Sequence, residues 1–312
     1  MNTEERIKKE LTRLCRITET ITDQPVVKIE RTKEGFTNHT YLVHLKNDEK
    51  VIIRVAGEGT EEYIDRKAEN YNCCQMGFLG ISPKVIYCNE ETGNNINHFI
   101  PADTMTNEDF QESALLRGKA AALMRTYHQC ELKFANNFSP INRIHECMHI
   151  LADSGYVCEY DNYDELVRQL KQVETAISEA AIPTVPCHND PLAANFLYDG
   201  DKMYAIDWEF SGMNDCFYDL AAFIGATRLS AEAEEQFLTC YCNHPPTDHE
   251  RARLIINKFL MDAFEVYWAM MQLNAGKDHD TYFAFGKERI DRALSYTQDP
   301  FFEKARTLLQ NK

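Results

Sequence analysis

The chain has 312 residues, 44% of them hydrophobic, and a formal net charge of -16. That length provides a sizeable core in one large domain or two lobes. An acidic balance of this size excludes a nucleic-acid binder, which needs a basic face for phosphates, and disfavours an anionic membrane surface. It suits a cationic small ligand.

The opening MNTEERIKKELTRL is charged and reads as an amphipathic helix over 3–19 rather than a signal peptide. No run reaches the length of a membrane span, because Glu265 interrupts the apolar stretch Phe264–Met271 and Asp262 precedes it. The eleven cysteines are scattered and odd in number. Without a secretion signal they read as reduced thiols, which points to the cytoplasm. Cys240, Cys242 and His244 lack a second pair at zinc-finger spacing and are not taken as a metal site. Cys73 and Cys74 read as helix packing.

Short β-rich runs follow the first helix at Val26–Thr32, Thr40–Leu45 and Val51–Val55. Gly35-Phe-Thr-Asn38 and Lys46-Asn-Asp-Glu49 carry turn chemistry between them. A helix is expected from Thr60 as N-cap, with Glu61 and Glu62 in its first turn and a stripe of Ile64, Ala68, Tyr71 and Cys74 or Gln75. Strands are expected at Lys84–Cys88 and Asn95–Ile100, joined by Glu90-Glu-Thr-Gly93. Helical periods then cover 108–130, 141–155 and 162–180. A hairpin turning at Asp199-Gly200 interrupts them, between Asn195–Tyr198 and Lys202–Ile206. Helices resume near Tyr218 and run to the end, with breaks near Asn243–Pro246 and Gly276–Asp278. The expected class is α+β: a two-lobed protein-kinase-like fold, with a small antiparallel β lobe carrying one helix (1–101, nucleotide binding) and a larger, mainly helical lobe (102–312, catalysis and acceptor binding).

The chemistry concentrates in PCHNDPLAANFLYDGDKMYAIDWEF, Pro186–Phe210. Phosphoryl transfer needs Mg²⁺ on the nucleotide phosphates, a carboxylate to orient and deprotonate the attacking hydroxyl, and cations on the phosphates. Mg²⁺ takes hard oxygen ligands, few of them from protein. Asp190, Asn195 and Asp207 supply that set, since the turn at Asp199-Gly200 folds Asp207 back alongside Asn195. The order follows the kinase plan H-x-D-x4-N and then a metal-binding Asp. His188 braces the loop and Asp219 ties it or caps the next helix. Upstream, Arg54 stands where a kinase keeps its phosphate-contacting Lys, and Glu69 on the following helix pairs with it. Gly35, Thr37 and Asn38 cover the phosphates, although the pattern GxGxxG is absent. His98–Pro101, with Phe99 and Ile100, passes the adenine edge.

GFTNHTYLV, VIIRVAGEGTEEYIDRKAENYN, GISPKVIY, CHNDPLAANF and IDWEF together resemble the choline/ethanolamine kinases, in the bacterial choline kinase-like branch of the aminoglycoside phosphotransferase-like group. The likeness is good from about Gly35 to Gly225, with Gly57–Arg66 its most particular stretch, and loose after about residue 240. The resemblance implies transfer of the ATP γ-phosphoryl group to choline, with Asp190 as base, magnesium on Asn195 and Asp207, and Glu209 helping the metal or the cationic acceptor. A quaternary ammonium has no N–H to donate, so aromatic faces recognise it. The candidates are Trp208 and Tyr218, near the metal ligands in sequence, and Tyr267 and Trp268 on the later helix. Family members often show a Trp-x-x-Trp pair there; this chain aligns one Trp, with Glu265 where the other would stand. Ethanolamine, thiamine or an aminoglycoside therefore stays open as acceptor. A pseudokinase module is the reading from a different class, and the presence of all three oxygen donors opposes it.

Overall fold

The computed structural model describes residues 2–32, 38–57 and 64–310. By packing, the chain divides into two compact units. The first comprises Met1–Thr106, Cys130–Asn136 and Ala194–Gly212; the second comprises Asn107–Gln129, Asn137–Ala193 and Met213–Lys312. The segment Ala194–Gly212, which carries Asn195 and Asp207, thus packs with the N-terminal residues. Among the described residues no helix is long and apolar enough to cross a membrane.

The first unit begins with α1 (Thr3–Thr22), opened by a capping box in which Asn2 and Glu5 exchange hydrogen bonds. Then come β1 (Val26–Arg31), β2 (His39–Leu45), β3 (Lys50–Val55), α2 (Arg66–Phe78), β4 (Val85–Cys88) and β5 (Asn95–His98). The five strands form one antiparallel sheet in the order β1-β2-β3-β5-β4. Strand alternation sends Val51, Ile53 and Val55 to one face, where they pack with Val43, Leu45, Ile96 and Leu14 of α1. Arg54 consequently projects from the opposite face. It is nevertheless buried, opposite Thr40 on β2 and Asn95 on β5.

The start of α2 differs from the expectation. Its N-cap is Asp65, whose carboxylate accepts from the backbone N–H of Lys67 and Ala68 at 3.1 and 3.0 Å. Thr60, Glu61 and Glu62 lie outside the described residues. The expected apolar stripe holds at Ile64 and Ala68, both buried, but not beyond them: Tyr71 and Cys74 are exposed, and the buried face continues through Glu69, Asn72 and Met76. The cause is polar packing, since Asn72 donates to Ser211 Oγ at 3.0 Å and to Asn136 Oδ1 at 3.0 Å. The hairpin Phe196–Tyr198 and Met203–Ala205 forms as expected, with Asp103–Thr104 added on its edge.

The second unit is built on the 27-residue helix Asp248–Asn274. A capping box between Thr247 and Glu250 starts it. Its residues Ile256, Phe259, Leu260, Ala263, Val266, Tyr267 and Met270, at intervals of three and four, lie in the core with side chains of helices Pro140–Asp153, Tyr163–Glu179, His279–Thr297 and Pro300–Gln310. The period over 108–130 resolves into two helices, Asn107–Glu112 and Ala114–His128, because Ser113 caps the second through Leu116 N–H. The helix expected from Tyr218 starts at Cys216, capped by Asp215. Between these helices Val185–Cys187 pairs with Gly212–Asn214, two short strands that sequence periodicity did not reveal.

Candidate active site

In the first unit the register of the hairpin sets two donors side by side. Ile206 N–H donates to the Asn195 carbonyl at 2.9 Å, so Asn195 and Asp207 emerge at the same end of the ladder. The chain then turns sharply: Asp207 is left-handed, with φ of 67°, a region that Asp and Asn tolerate better than most residues. Three contacts anchor the turn. Ala205 N–H donates to the Ile81 carbonyl at 2.9 Å, Trp208 Nε1 to Ser82 Oγ at 3.2 Å, and Lys202 Nζ to the Gly80 carbonyl at 2.6 Å.

Asp207 meets Arg54, whose Nη1 donates to Oδ1 at 3.0 Å. Nη2 of the same guanidinium pairs with Glu69 Oε1 and donates to the Gly93 carbonyl at 3.2 Å. The Arg54–Glu69 pair expected from the sequence is therefore formed. Arg66, which the sequence reading did not single out, adds a second guanidinium: Nη1 lies 2.7 Å from Glu69 Oε2 and 3.3 Å from Glu209 Oε2. Asn38 Nδ2 donates to Glu209 Oε2 at 3.1 Å, whereas Gly35 and Thr37 lie outside the described residues. Two cations thus face three carboxylates. Burial pushes the Asp207 carboxyl up, Glu209 adds to the rise, and Arg54 opposes it; the result is about 7. A carboxyl crowded in this way, beside Asn195 and Glu209, is a set of hard oxygen donors short of positive charge. That chemistry fits a magnesium ion.

Asp190 belongs to the second unit, on a loop whose geometry Asp219 dictates. Asp219 is fully buried. Its Oδ2 accepts from His188 N–H at 2.7 Å and its Oδ1 from Asn189 N–H at 2.6 Å. Tyr127 Oη and His128 Nε2 each lie 3.1 Å from Oδ2, and His128 Nδ1 lies 2.9 Å from Tyr241 Oη. Burial works to raise the Asp219 pKa, but the His128 hydrogen bond and charge, joined by His188, hold it below the ordinary carboxylate range. Clamped at both backbone amides, Asn189 takes a left-handed φ of 64° and presents Asp190, half-buried, as the next residue. Asn214 Nδ2 fixes the Asn189 side chain at 2.9 Å. The sequence assigned Asp219 to the loop correctly; Tyr127, His128 and Tyr241 escaped notice, because lone aromatics and a histidine ending a helix carry no local signal. His128, Cys187 and Asp219 stand close enough to hold a metal. Their atoms are already engaged in these bonds, and Cys187 Sγ donates to the Asn214 carbonyl at 3.5 Å.

The aromatic candidates separate sharply. Trp208, Tyr218 and Tyr267 are core side chains, at 1%, 2% and 0% exposure. Trp208 packs edge-on against Phe134, Tyr218 lies tilted against Phe138, and Tyr267 Oη meets Tyr163 Oη at 3.2 Å. Their enclosure argues against the direct acceptor contact expected of them. Trp268 is 40% exposed, with Tyr282 and Phe285 each edge-on at 5.6 Å. Glu265 is ion-paired with Arg289, Oε2 to Nε at 2.5 Å; burial outweighs that pairing and raises its pKa to about 7. Phe99 and Ile100 are half-buried, and Lys50 Nζ lies 5.4 Å from the Phe99 ring centroid.

Comparison with known proteins agrees with this chemistry. A family model described as Choline/ethanolamine kinase matches residues 29–297. A probable ethanolamine kinase A of Dictyostelium discoideum is 29% identical over 305 residues, covering 88% of this chain and 86% of that protein. A solved choline/ethanolamine kinase family protein from Mesorhizobium loti superposes with a TM-score of 0.82 at 26% identity, covering 92% and 93% of the two chains. The choline kinase LicA from Streptococcus pneumoniae does so with a TM-score of 0.77 at 26% identity, covering 93% and 99%. An aminoglycoside phosphotransferase, APH(2'')-Ib, shares the fold alone, with a TM-score of 0.60 at 15% identity. The protein-kinase-like α+β fold expected from the sequence is the one adopted.

The Asp207 carboxyl generates a pH prediction. Its folded pKa, about 7, lies above the ordinary 3.8. Its protonated form therefore favours folding: the contribution is complete below about pH 4 and disappears as pH rises through about 7. In metal-free buffer, the melting temperature should fall between about pH 4 and 7 more steeply in the wild type than in Asp207→Asn. Identical slopes would show that Asp207 ionises as an ordinary carboxylate.

Proposed function

The chain belongs to the choline/ethanolamine kinase family, ATP-dependent phosphotransferases with an alcohol acceptor; from that premise we propose that it transfers the γ-phosphoryl group of ATP to the hydroxyl of choline, giving phosphocholine and ADP. Asp190 accepts the hydroxyl proton as the oxygen attacks phosphorus, and the bond from phosphorus to the ADP oxygen breaks. Arg54 exchanges its hold on Asp207 for the ATP phosphates, while Glu69 keeps the guanidinium in place. Asn195 and Asp207, with Glu209 behind them, would hold magnesium, which supplies positive charge for the β- and γ-phosphates. Gly35, Thr37 and Asn38 cover the phosphates, and Phe99 and Ile100 meet the adenine. Nucleotide binding is assigned to 1–101, catalysis and acceptor binding to 102–312. Eleven scattered cysteines, odd in number, favour a reducing compartment, the cytoplasm.

The observation that carries choline is the exposed Trp268 with its two flanking rings, together with the state of Glu265. A primary ammonium wants carboxylate acceptors for its N–H groups, whereas a quaternary one is bound by ring faces. Glu265 is already ion-paired with Arg289, and Trp268 offers accessible ring surface. Ethanolamine is the second reading, supported by the ethanolamine kinase among the relatives.

Two variants test these roles. Asp190→Ala should lower kcat by about 10²- to 10⁴-fold in a steady-state assay while the ATP KM stays within about threefold, because the base acts only as the hydroxyl reacts. Turnover at the wild-type rate would remove Asp190 from the mechanism. Trp268→Ala should raise the choline KM by about 3- to 30-fold, the equivalent of one cation–π contact, and leave the ATP KM unchanged. Parallel changes in both constants would make Trp268 a structural residue.

A further inference from the structure

We propose that Arg66 is a positioning residue that fixes Glu209 and Glu69 for the metal-nucleotide site, and that Gly93 is glycine because Arg66 must pass over it. The inference rests on the reading that Asp207 and Glu209 hold a divalent cation. Arg66 is the first residue of α2, and its side chain is 4% exposed. Its Nη1 contacts one oxygen of Glu69 and one of Glu209, the carboxylate two residues beyond Asp207. The other oxygen of Glu69 belongs to Arg54. Glu69 is thereby shared, and each arginine leads to one acid of the Asp207-Trp-Glu209 pair: Arg54 to Asp207 at 3.0 Å, Arg66 to Glu209 at 3.3 Å. Arg54 can turn to a phosphate without releasing Glu209, because Arg66 and Asn38 retain it.

The turn between β4 and β5 is shaped for this guanidinium. Gly93 has φ of 72°, and a Cβ built there would lie 2.5 Å from Arg66 Nε and 2.8 Å from Cζ. Its carbonyl meanwhile accepts from Arg54. One residue therefore serves both arginines, through its missing side chain and its carbonyl. A lysine at 66 would end about where Cζ now sits, roughly one bond short of both carboxylates, and would lose the planar fork.

The test is Mn²⁺ binding to the full chain with ADP present, read by electron paramagnetic resonance, in wild type, Arg66→Lys, Glu209→Gln and the double variant. The expected result is that Arg66→Lys weakens Mn²⁺ binding about tenfold, the scale of losing a group that orients a ligand, and adds little in the Glu209→Gln background. Wild-type protein that holds no Mn²⁺ beyond what ADP alone holds would sink the metal reading, and this inference with it. Wild-type binding with an unchanged Arg66→Lys, or an equal loss in both backgrounds, would overturn the inference while the metal reading stands. Should Arg66→Lys not fold, Gly93→Ala takes its place, since it presses on Arg66 but leaves the charge. The same weakening is expected there, and unaltered Mn²⁺ binding would overturn the inference.

Discussion

Buried charges must be compensated, and in the first unit that demand ties distant parts of the chain together. Arg54 and Arg66 face Glu69, Asp207 and Glu209. Removing one partner of such a pair typically costs about 3–5 kcal/mol, because the other is left buried and alone. Strand pairing sets the Gly93 turn beside β3, and the ion pairs add the start of α2 and the Trp208–Phe210 turn to the same point. One negative charge remains in excess among the five groups. Burial raises the Asp207 pKa first and the neighbouring Glu209 charge adds to it; the excess leaves the cluster receptive to a cation.

The second unit solves a different problem with the same principle. Asp190 has to be presented from a loop, and loops are mobile unless their backbone is bonded. Asp219 accepts from two consecutive amides and is itself held by Tyr127 and His128. The clamp sustains a left-handed Asn189 immediately before Asp190. Backbone held in a sparsely populated region needs surroundings that over-determine it, and a fully buried carboxylate with four donors around it meets that need.

Much of this was legible in the sequence, and the reasons for what was not are physical. Asp190, Asn195, Asp207 and the Asp199-Gly200 turn lie within a short stretch, so local turn chemistry exposes them. Arg54 and Glu69 were readable because strand and helix periodicities locate both. Arg66 was not, since an arginine in the first turn of a helix normally reads as solvated; only the three-dimensional approach of Gly93 and Glu209 gives it a task. The stripe held at Ile64 and Ala68 and failed at Tyr71, because α2 packs on through Glu69 and Asn72, polar residues that a hydrophobic pattern assigns to solvent. Among the aromatics, spacing alone did not separate Tyr267, sealed in the core, from its neighbour Trp268, which is exposed.

The proposed acceptor rests on how charge is matched. An ammonium bearing N–H groups is best held by unpaired carboxylates, and Glu265 is paired with Arg289. Ring faces remain, and they suit a trimethylammonium group. The most direct measurement is ADP release by the purified protein with Mg-ATP and, in turn, choline, ethanolamine, thiamine and an aminoglycoside. The account predicts the largest kcat/KM for choline, with phosphocholine as product. Faster phosphorylation of any other acceptor, or no acceptor-dependent ADP release at all, would contradict it.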